Sequence, residues 1–539
     1  MRERCILAAV LVAAAALRLW SIDFGFPGRY RPDEGYIALK AFRVLQGQLD
    51  PGFYVYPSLY IYATALVLGA VQTLGELFGL FGGMTFAAFA AAREAVPVYL
   101  TGRLTTAALG VAGVFAAYLL GRDAFGRGAG LLGAMLLALN FSHARESHFA
   151  TTDVPAALLA TLVLWRLLTL ARRARLRDYL LAGGLAGLAV STKYTAAVLA
   201  VPCLAAHLLA LGERPVERSR SLLLDRPLAG LAAAFAAFAC TSPYVLLNSG
   251  RFREDVSTFI TGELLRGEGL PVGELSAGLP WIFGFGLRYG AGYLLAALAA
   301  AGAGYALYLA AGRRPGGDAA LLLLAFTGTV LAAYCLTVVL FFRYMALPMP
   351  VLCLLAANAA LAACRGVFGT RWSLAAAAAV VLLAAAEPAW RTVCFNRIAG
   401  RVDTRQLARE WIEANVPEGD VLVARGRLKY ARPQLPGPGA YVSFTRYRDA
   451  RARNPRRLAP AWFVVDSHPI SAYSPQPPPA VGDLLEREGT VVRRFSPFVE
   501  GRSQEAVFDA ADAFYIPVAG FGAVVRPGPG LTIYRVPGR

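Results

Sequence analysis

The residues best suited to chemistry in this chain come early. Arg31-Pro32-Asp33-Glu34 sets two carboxylates side by side in the first hydrophilic stretch after the first apolar run. A carboxylate can take the proton of an attacking hydroxyl. The pair has a plainer use too, because Pro at the first helical position and acids in the first turn suit the start of any helix. Adjacent carboxylates could also attract a divalent cation, although no metal-ligand spacing supports one at Asp33 and Glu34.

Other positions invite the same double reading. Asp153 stands two residues before Pro155, where it would cap the following helix or serve a site. Lys193, in Ser191-Thr192-Lys193-Tyr194, is one of three lysines among fifty-three basic residues and lies between apolar runs. A compact ammonium suits a phosphate oxygen, and a lysine at a helix end can equally snorkel to the interface. Arg343 and Tyr344, in Phe341-Phe342-Arg343-Tyr344, are either a second anion contact or part of an aromatic belt. Tyr54 and Tyr56, with Arg145 and His148, could line a substrate groove. His143 and His148 are not spaced to share one helical face, which argues against a metal. Arg251, Arg253 and Arg266 are read as solvating their loop.

The elements that must position these residues are membrane helices. The chain of 539 residues is 57% hydrophobic and 16% charged, with mean hydropathy +0.50; a soluble domain carries roughly 25% charged residues. Apolar runs occur near 5–22, 96–120, 129–142, 154–170, 179–191, 195–212, 227–244, 288–311, 319–341, 345–363 and 373–389, giving about 11 transmembrane helices. A cleaved secretory signal at the start is disfavoured by the many later runs. The seven cysteines show no C-x-x-C pair and no disulfide framework.

Alternate loops carry arginine clusters: Arg2/Arg4, Arg122/Arg127, Arg172/Arg173/Arg175/Arg177, Arg214/Arg218/Arg220, Arg313/Arg314 and Arg365/Arg371. The positive-inside rule puts these in the cytoplasm, so the net charge of +18 calls for no nucleic acid. The opposite loops, with Asp33, Glu34, Asp153, Lys193 and Arg343, then meet at the outer face. One more crossing would invert that pattern, so the apolar stretch 59–81 is read as interfacial, re-entrant or half of a hairpin. Pro32 to Gly47 reads as an amphipathic helix lying on the membrane. The expected division is a transmembrane catalytic part, 1–389, with a first outer loop at 23–95, and an extracytoplasmic soluble α/β domain, 390–539. In that domain Asp403 should cap a helix to Asn415, with Gln406 completing a capping box. Strands are expected at 421–424, 462–465 and 491–495, and a helix at 484–488.

At this point the chain resembles the class C (GT-C) membrane glycosyltransferases, in particular the phospholipid carrier-dependent group that includes protein O-mannosyltransferases and the aminoarabinose transferase of lipid A. The resemblance rests on Pro32-Asp33-Glu34-Gly35-Tyr36, Gly47 and Pro51, Tyr56-Pro57-Ser58-Leu59-Tyr60, Arg122-Asp123-Ala124-Phe125-Gly126-Arg127, Thr152-Asp153-Val154-Pro155, and Arg343-Tyr344 with Pro348. It implies the GT-C fold, with Asp33 as general base or acceptor-orienting group and with Glu34 and Asp153 shaping the acceptor and sugar site. Many relatives have Lys-Pro-Pro-Leu where this chain has Tyr56-Pro57-Ser58-Leu59. Lys193 and Arg343 are therefore assigned to the donor phosphate from position.

The expected reaction is inverting transfer of a sugar from a polyprenyl-phosphate carrier to a hydroxyl of a lipid, glycan or protein, at the outer face of a bacterial plasma (inner) membrane. No nucleotide-binding Gly-rich loop is present, as a lipid-borne donor allows. Two rivals remain at this level: a transporter or flippase of lipid-linked sugars, and a non-catalytic ligand-binding protein. Transporters commonly show repeated halves, and the sequence has no internal repeat.

Overall fold

The computed structural model describes all residues except 1, 213–219, 265–277, 426–430, 436–440, 454–459, 471–473, 475, 513 and 539. Arg214, Arg218 and Arg266 fall outside the described residues. The chain forms two compact units, one of Met1–Ile22 with Asp33–Thr392 and the other of Asp23–Pro32 with Val393–Arg539.

The first unit is helical. Its elements are α1 (Arg2–Leu19), α2 (Glu34–Leu45), α3 (Leu59–Leu77), α4 (Phe86–Ala92), α5 (Val96–Phe125), α6 (Arg127–Leu139), α7 (Phe141–Glu146), α8 (Asp153–Arg173) and α9 (Leu176–Val190). A 3-10 turn, Tyr194–Leu199, leads into α10 (Ala200–Gly212), followed by α11 (Arg226–Thr241), α12 (Pro243–Leu247) and α13 (Ser249–Ser257). Then come α14 (Gly278–Trp281), α15 (Arg288–Gly290), α16 (Tyr293–Ala311), α17 (Gly317–Cys335), a 3-10 turn at Phe342–Ala346 and α18 (Met349–Ala399).

Among the described residues, eight helices are long and apolar enough to cross a membrane. Each expected apolar run is largely helical, but α1 is not among the eight, and α6 and α9, at 13 and 15 residues, fall short of the roughly 20 residues a crossing needs. The last two runs form two helices within the span α18, which meet at a kink at Gly369 with φ 64°, a conformation a glycine tolerates.

One expectation for the first loop is corrected. The apolar face of α2, with Ile37, Ala38 and Ala41 buried, packs against α3 and α5, so protein and not lipid covers it. The stretch 59–81 contains one unbroken 19-residue helix, α3, long and apolar enough to be among the eight, and the seven-residue α4 follows it.

In the second unit, α19 (Thr404–Asn415), α20 (Phe444–Arg453) and α21 (Pro479–Glu488) accompany strands β1 (Val421–Ala424), β2 (Val442–Ser443), β3 (Ala461–Ser467), β4 (Thr490–Phe495) and β5 (Gly530–Val536). The sheet order is β2-β1-β3-β5-β4. β1 runs parallel to β2 and β3, while β5 is antiparallel to β3 and β4. Alternation along β3 divides the core: Phe463 joins Phe444, Tyr447 and Leu485 on one face, and Trp462 and Val464 join Ala408 and Ile412 on the other. Asp403 caps α19 by accepting from the Arg405 amide at 2.8 Å, but Gln406 donates to Glu410, so the expected box is half formed. Residues 23–32, read from sequence as part of the first loop, fold into this unit. Tyr30 lies under the Arg405 guanidinium at 3.7 Å, and buried Arg31 pairs with Asp512.

Candidate active site

The start of α2 separates the two acids. Asp33 occupies the N-cap position yet makes no side-chain capping bond; Arg343, in the 3-10 turn before α18, donates to its Oδ2. Glu34, one residue on, turns inward. Both its oxygens accept from Arg103 of α5, at 2.7 and 2.8 Å, and Oε1 also accepts from the Ala150 amide at 3.1 Å. Arg103 further donates to the Ile22 carbonyl at 3.0 Å, so one buried knot ties together the end of α1, the start of α2, α5 and the loop before α8. Gly102 lets that loop approach, since a Cβ there would lie 2.8 Å from the Cβ of Ala150.

A second ion pair stands beside the first. Asp153 is the first residue of α8, after the N-cap Thr152, and its Oδ1 accepts from Lys193 Nζ at 2.5 Å. The ammonium also lies 4.5 Å from the centre of the Tyr344 ring. Burial lowers the Lys193 pKa, with Asp153 and Asp33 opposing and Arg343 reinforcing the shift, so the two pairs lie within electrostatic reach of each other. Burial, followed by the charge of Asp33, raises the Tyr56 phenol well above its ordinary value; it remains a protonated donor beside Asp33, Arg343 and Asp153. A cavity of about 10 Å³, the least that holds one water, is bounded by Asp153, Lys193, Tyr334 and Tyr344.

The structure thus brings together Asp33, Tyr56, Asp153, Lys193, Arg343 and Tyr344 from five segments of the chain. Four expected site residues lie elsewhere. Glu34 is wholly engaged in the knot. Arg145 is buried against Glu146 and the rings of Phe149 and Phe342. His148 is buried with its ring nitrogens at the Ala144 and Trp20 carbonyls. Tyr54 hydrogen-bonds to Asp50 and Asn248. The contacts given for Arg145, His148 and Tyr54 are thus to protein groups other than the Asp33–Arg343 and Asp153–Lys193 pairs. The carboxylates of Asp33 and Glu34 face different partners, and among the described residues there is no group of three His, Cys, Asp or Glu side chains that could hold a metal.

An apolar cavity of about 600 Å³ lies between α8, α9, α10 and α11, lined by Leu170, Val190, Ala196, Cys203 and Phe238 among others. Val190 and Ala196 flank Lys193 in the chain, so the cavity adjoins the segment that carries the ammonium.

Residues 97–246 match the family model for dolichyl-phosphate-mannose-protein mannosyltransferase. That stretch holds Arg103, Asp153 and Lys193. The structure resembles ArnT from Cupriavidus metallidurans bound to undecaprenyl phosphate, with a TM-score of 0.52 and 15% identity over 98% of this chain and 97% of that one. It also resembles the oligosaccharyltransferase AglB from Archaeoglobus fulgidus in complex with an inhibitory peptide and a dolichol-phosphate, with a TM-score of 0.53 and 14% identity over 92% of this chain and 73% of that one. The fold is that of the GT-C glycosyltransferases. A sequence search of curated proteins finds no match.

Within this GT-C fold, sequence reasoning missed Arg103. An arginine inside an apolar run was the available signal, because a charge within a span needs a partner. The sequence supplied no register to name Glu34 as that partner.

Proposed function

We propose that this protein is a polyprenyl-phosphate-dependent glycosyltransferase that moves a sugar, with inversion, to an acceptor hydroxyl at the outer face of the membrane. The observation that carries the reading is the convergence of two carboxylates and two cations, Asp33 with Arg343 and Asp153 with Lys193. With the stretch 59–81 taken as a segment that does not cross, the alternation of arginine-rich loops supports the outer face, a plasma-membrane setting and an extracytoplasmic domain at 390–539.

The pairing suggests how the donor prepares the site. An incoming phosphate competes for Lys193 and Arg343, and each cation it takes leaves a carboxylate without its counter-ion. An unpaired carboxylate beside new negative charge is a stronger base. Asp33 then accepts the proton of the acceptor hydroxyl as that oxygen attacks the anomeric carbon. The bond from that carbon to the phosphate oxygen breaks, and the phosphate leaves with its electron pair. Lys193 and Arg343 stabilise charge where it accumulates, and Asp153 and Tyr56 hold the sugar hydroxyls. The apolar cavity beside Lys193 suits the polyprenyl chain. The acceptor is a lipid, glycan or protein hydroxyl.

The test is direct. Purified protein is given a radiolabelled polyprenyl-phosphate sugar with a candidate acceptor. Transfer of label, release of polyprenyl phosphate and an inverted anomeric linkage support the reading; translocation of intact donor across vesicles without release would favour a flippase and overturn it.

A further inference from the structure

The second unit holds a polar cluster that the transferase reading does not use. β1 is flanked by β2 on one side and β3 on the other, all parallel, so the chain leaves β1 in one direction and later returns past it in the other. Ligands of open α/β sheets bind at such a reversal, outside the carboxyl ends of the strands. At this end Arg425 follows β1, and Asp466 and His468 close β3. Arg425 Nε lies 3.5 Å from Asp466 Oδ1. Asp466 is 5% exposed, yet its Oδ2 has no hydrogen-bond partner among the described residues.

His468 presents the complement. Its Nδ1 accepts from the Ile470 amide at 3.1 Å, which assigns the proton of the neutral ring to Nε2. Nε2 is buried and has no acceptor among the described residues. Burial keeps the ring neutral, lowering its pKa to about 3 with help from Arg405, and burial raises the Asp466 carboxyl. Around the imidazole stand the rings of Phe508 at 4.4 Å, Tyr515 at 4.8 Å and Phe498 at 5.4 Å. The Tyr515 hydroxyl reaches Ser474 Oγ at 3.2 Å. His468 and Phe498 are half-buried, so the cluster opens on that side.

An orphaned acceptor and an orphaned donor in one buried cluster call for a group that both donates and accepts. A simple anion would face Asp466, and a simple cation would face Arg425 and Arg405. A hydroxyl meets both requirements, and aromatic walls with few polar groups suit the carbon face of a sugar ring. We propose that this strand-end cluster is a carbohydrate-binding site, in which hydroxyls of a neutral pyranoside donate to Asp466 Oδ2 and accept from His468 Nε2. The site stands independently of the transferase reading.

The probe is a set of methyl pyranosides of mannose, glucose and galactose, added to the full chain in lipid nanodiscs free of sugar-based detergent. Saturation-transfer NMR should show binding of at least one, and Asp466→Asn should weaken it by about tenfold or more, the worth of a hydrogen bond to a charged group. If that variant melts early, the half-buried His468→Gln carries the same test. Displacement of the glycoside by a polyprenyl-phosphate sugar in the disc assigns the site to a lipid-linked sugar; persistence assigns it to a soluble glycan. No transfer to any glycoside, or transfer undiminished in folded variants, overturns the proposal and leaves bound water as the partner of both atoms.

Discussion

One peptide bond separates two regions of opposite character. On the Glu34 side lies a closed knot: the carboxylate has no exposed surface, both oxygens are held by Arg103, and the partners are backbone and buried side chains. On the Asp33 side lies an open cluster: the carboxylate is 20% exposed and shares its surroundings with a second ion pair. The difference teaches that residue type does not distinguish a structural acid from a reactive one. What distinguishes them is whether the partners can be exchanged. A bidentate pair sealed from water gives up its partner only at the cost of a bare buried charge, whereas a singly held, water-accessible carboxylate can trade its counter-ion for substrate.

The comparison breaks first at Asp33. Asp33→Asn should reduce transfer on the order of 10²- to 10⁴-fold while the protein stays folded and melts above Glu34→Gln, measured by labelled-sugar transfer beside a thermal melt. Glu34→Gln should do the reverse, lowering stability by about 3–5 kcal/mol because Arg103 loses its counter-charge; a Glu34→Gln protein that melts normally but fails to turn over would merge the two regions. Next in size, Lys193→Ala should raise the donor KM by about ten- to a hundredfold, as expected for one charge-assisted hydrogen bond, with little change in acceptor KM. The ammonium also sets a pH limit. Its pKa lies below the ordinary 10.5, so donor affinity should fall as pH rises through that lowered value, and Lys193→Arg should remove the alkaline decline. The smallest effect is expected from Tyr56→Phe, less than about tenfold in kcat/KM, for loss of one neutral hydrogen bond.

The sequence made one side of this comparison visible and concealed the other. Capping and amphipathic spacing revealed α19, and β1 and β3 were expected close to where they lie, because those signals are local. Asp33, Lys193 and Arg343 could be singled out as unusual residue types at the ends of apolar runs. Their pairing could not be read, since Asp33 meets Arg343 across 310 positions and Glu34 meets Arg103 across 69, and no local rule encodes such contacts. The same limit put α2 on the lipid: its apolar stripe was correct, but a stripe does not say what covers it. The burial of Arg145 and His148 was equally hidden, as polar residues in a short loop look accessible until their buried partners are known.

The central claim is that the Asp33 cluster exchanges its internal ion pairs for a lipid-borne phosphate. Native mass spectrometry of the protein released from lipid discs tests it most directly. The account predicts a bound polyprenyl phosphate, with or without its sugar, on the wild type and its loss from a folded Lys193→Ala variant. A wild type that never carries such a lipid when it is supplied, or a variant that retains it undiminished, would contradict the account.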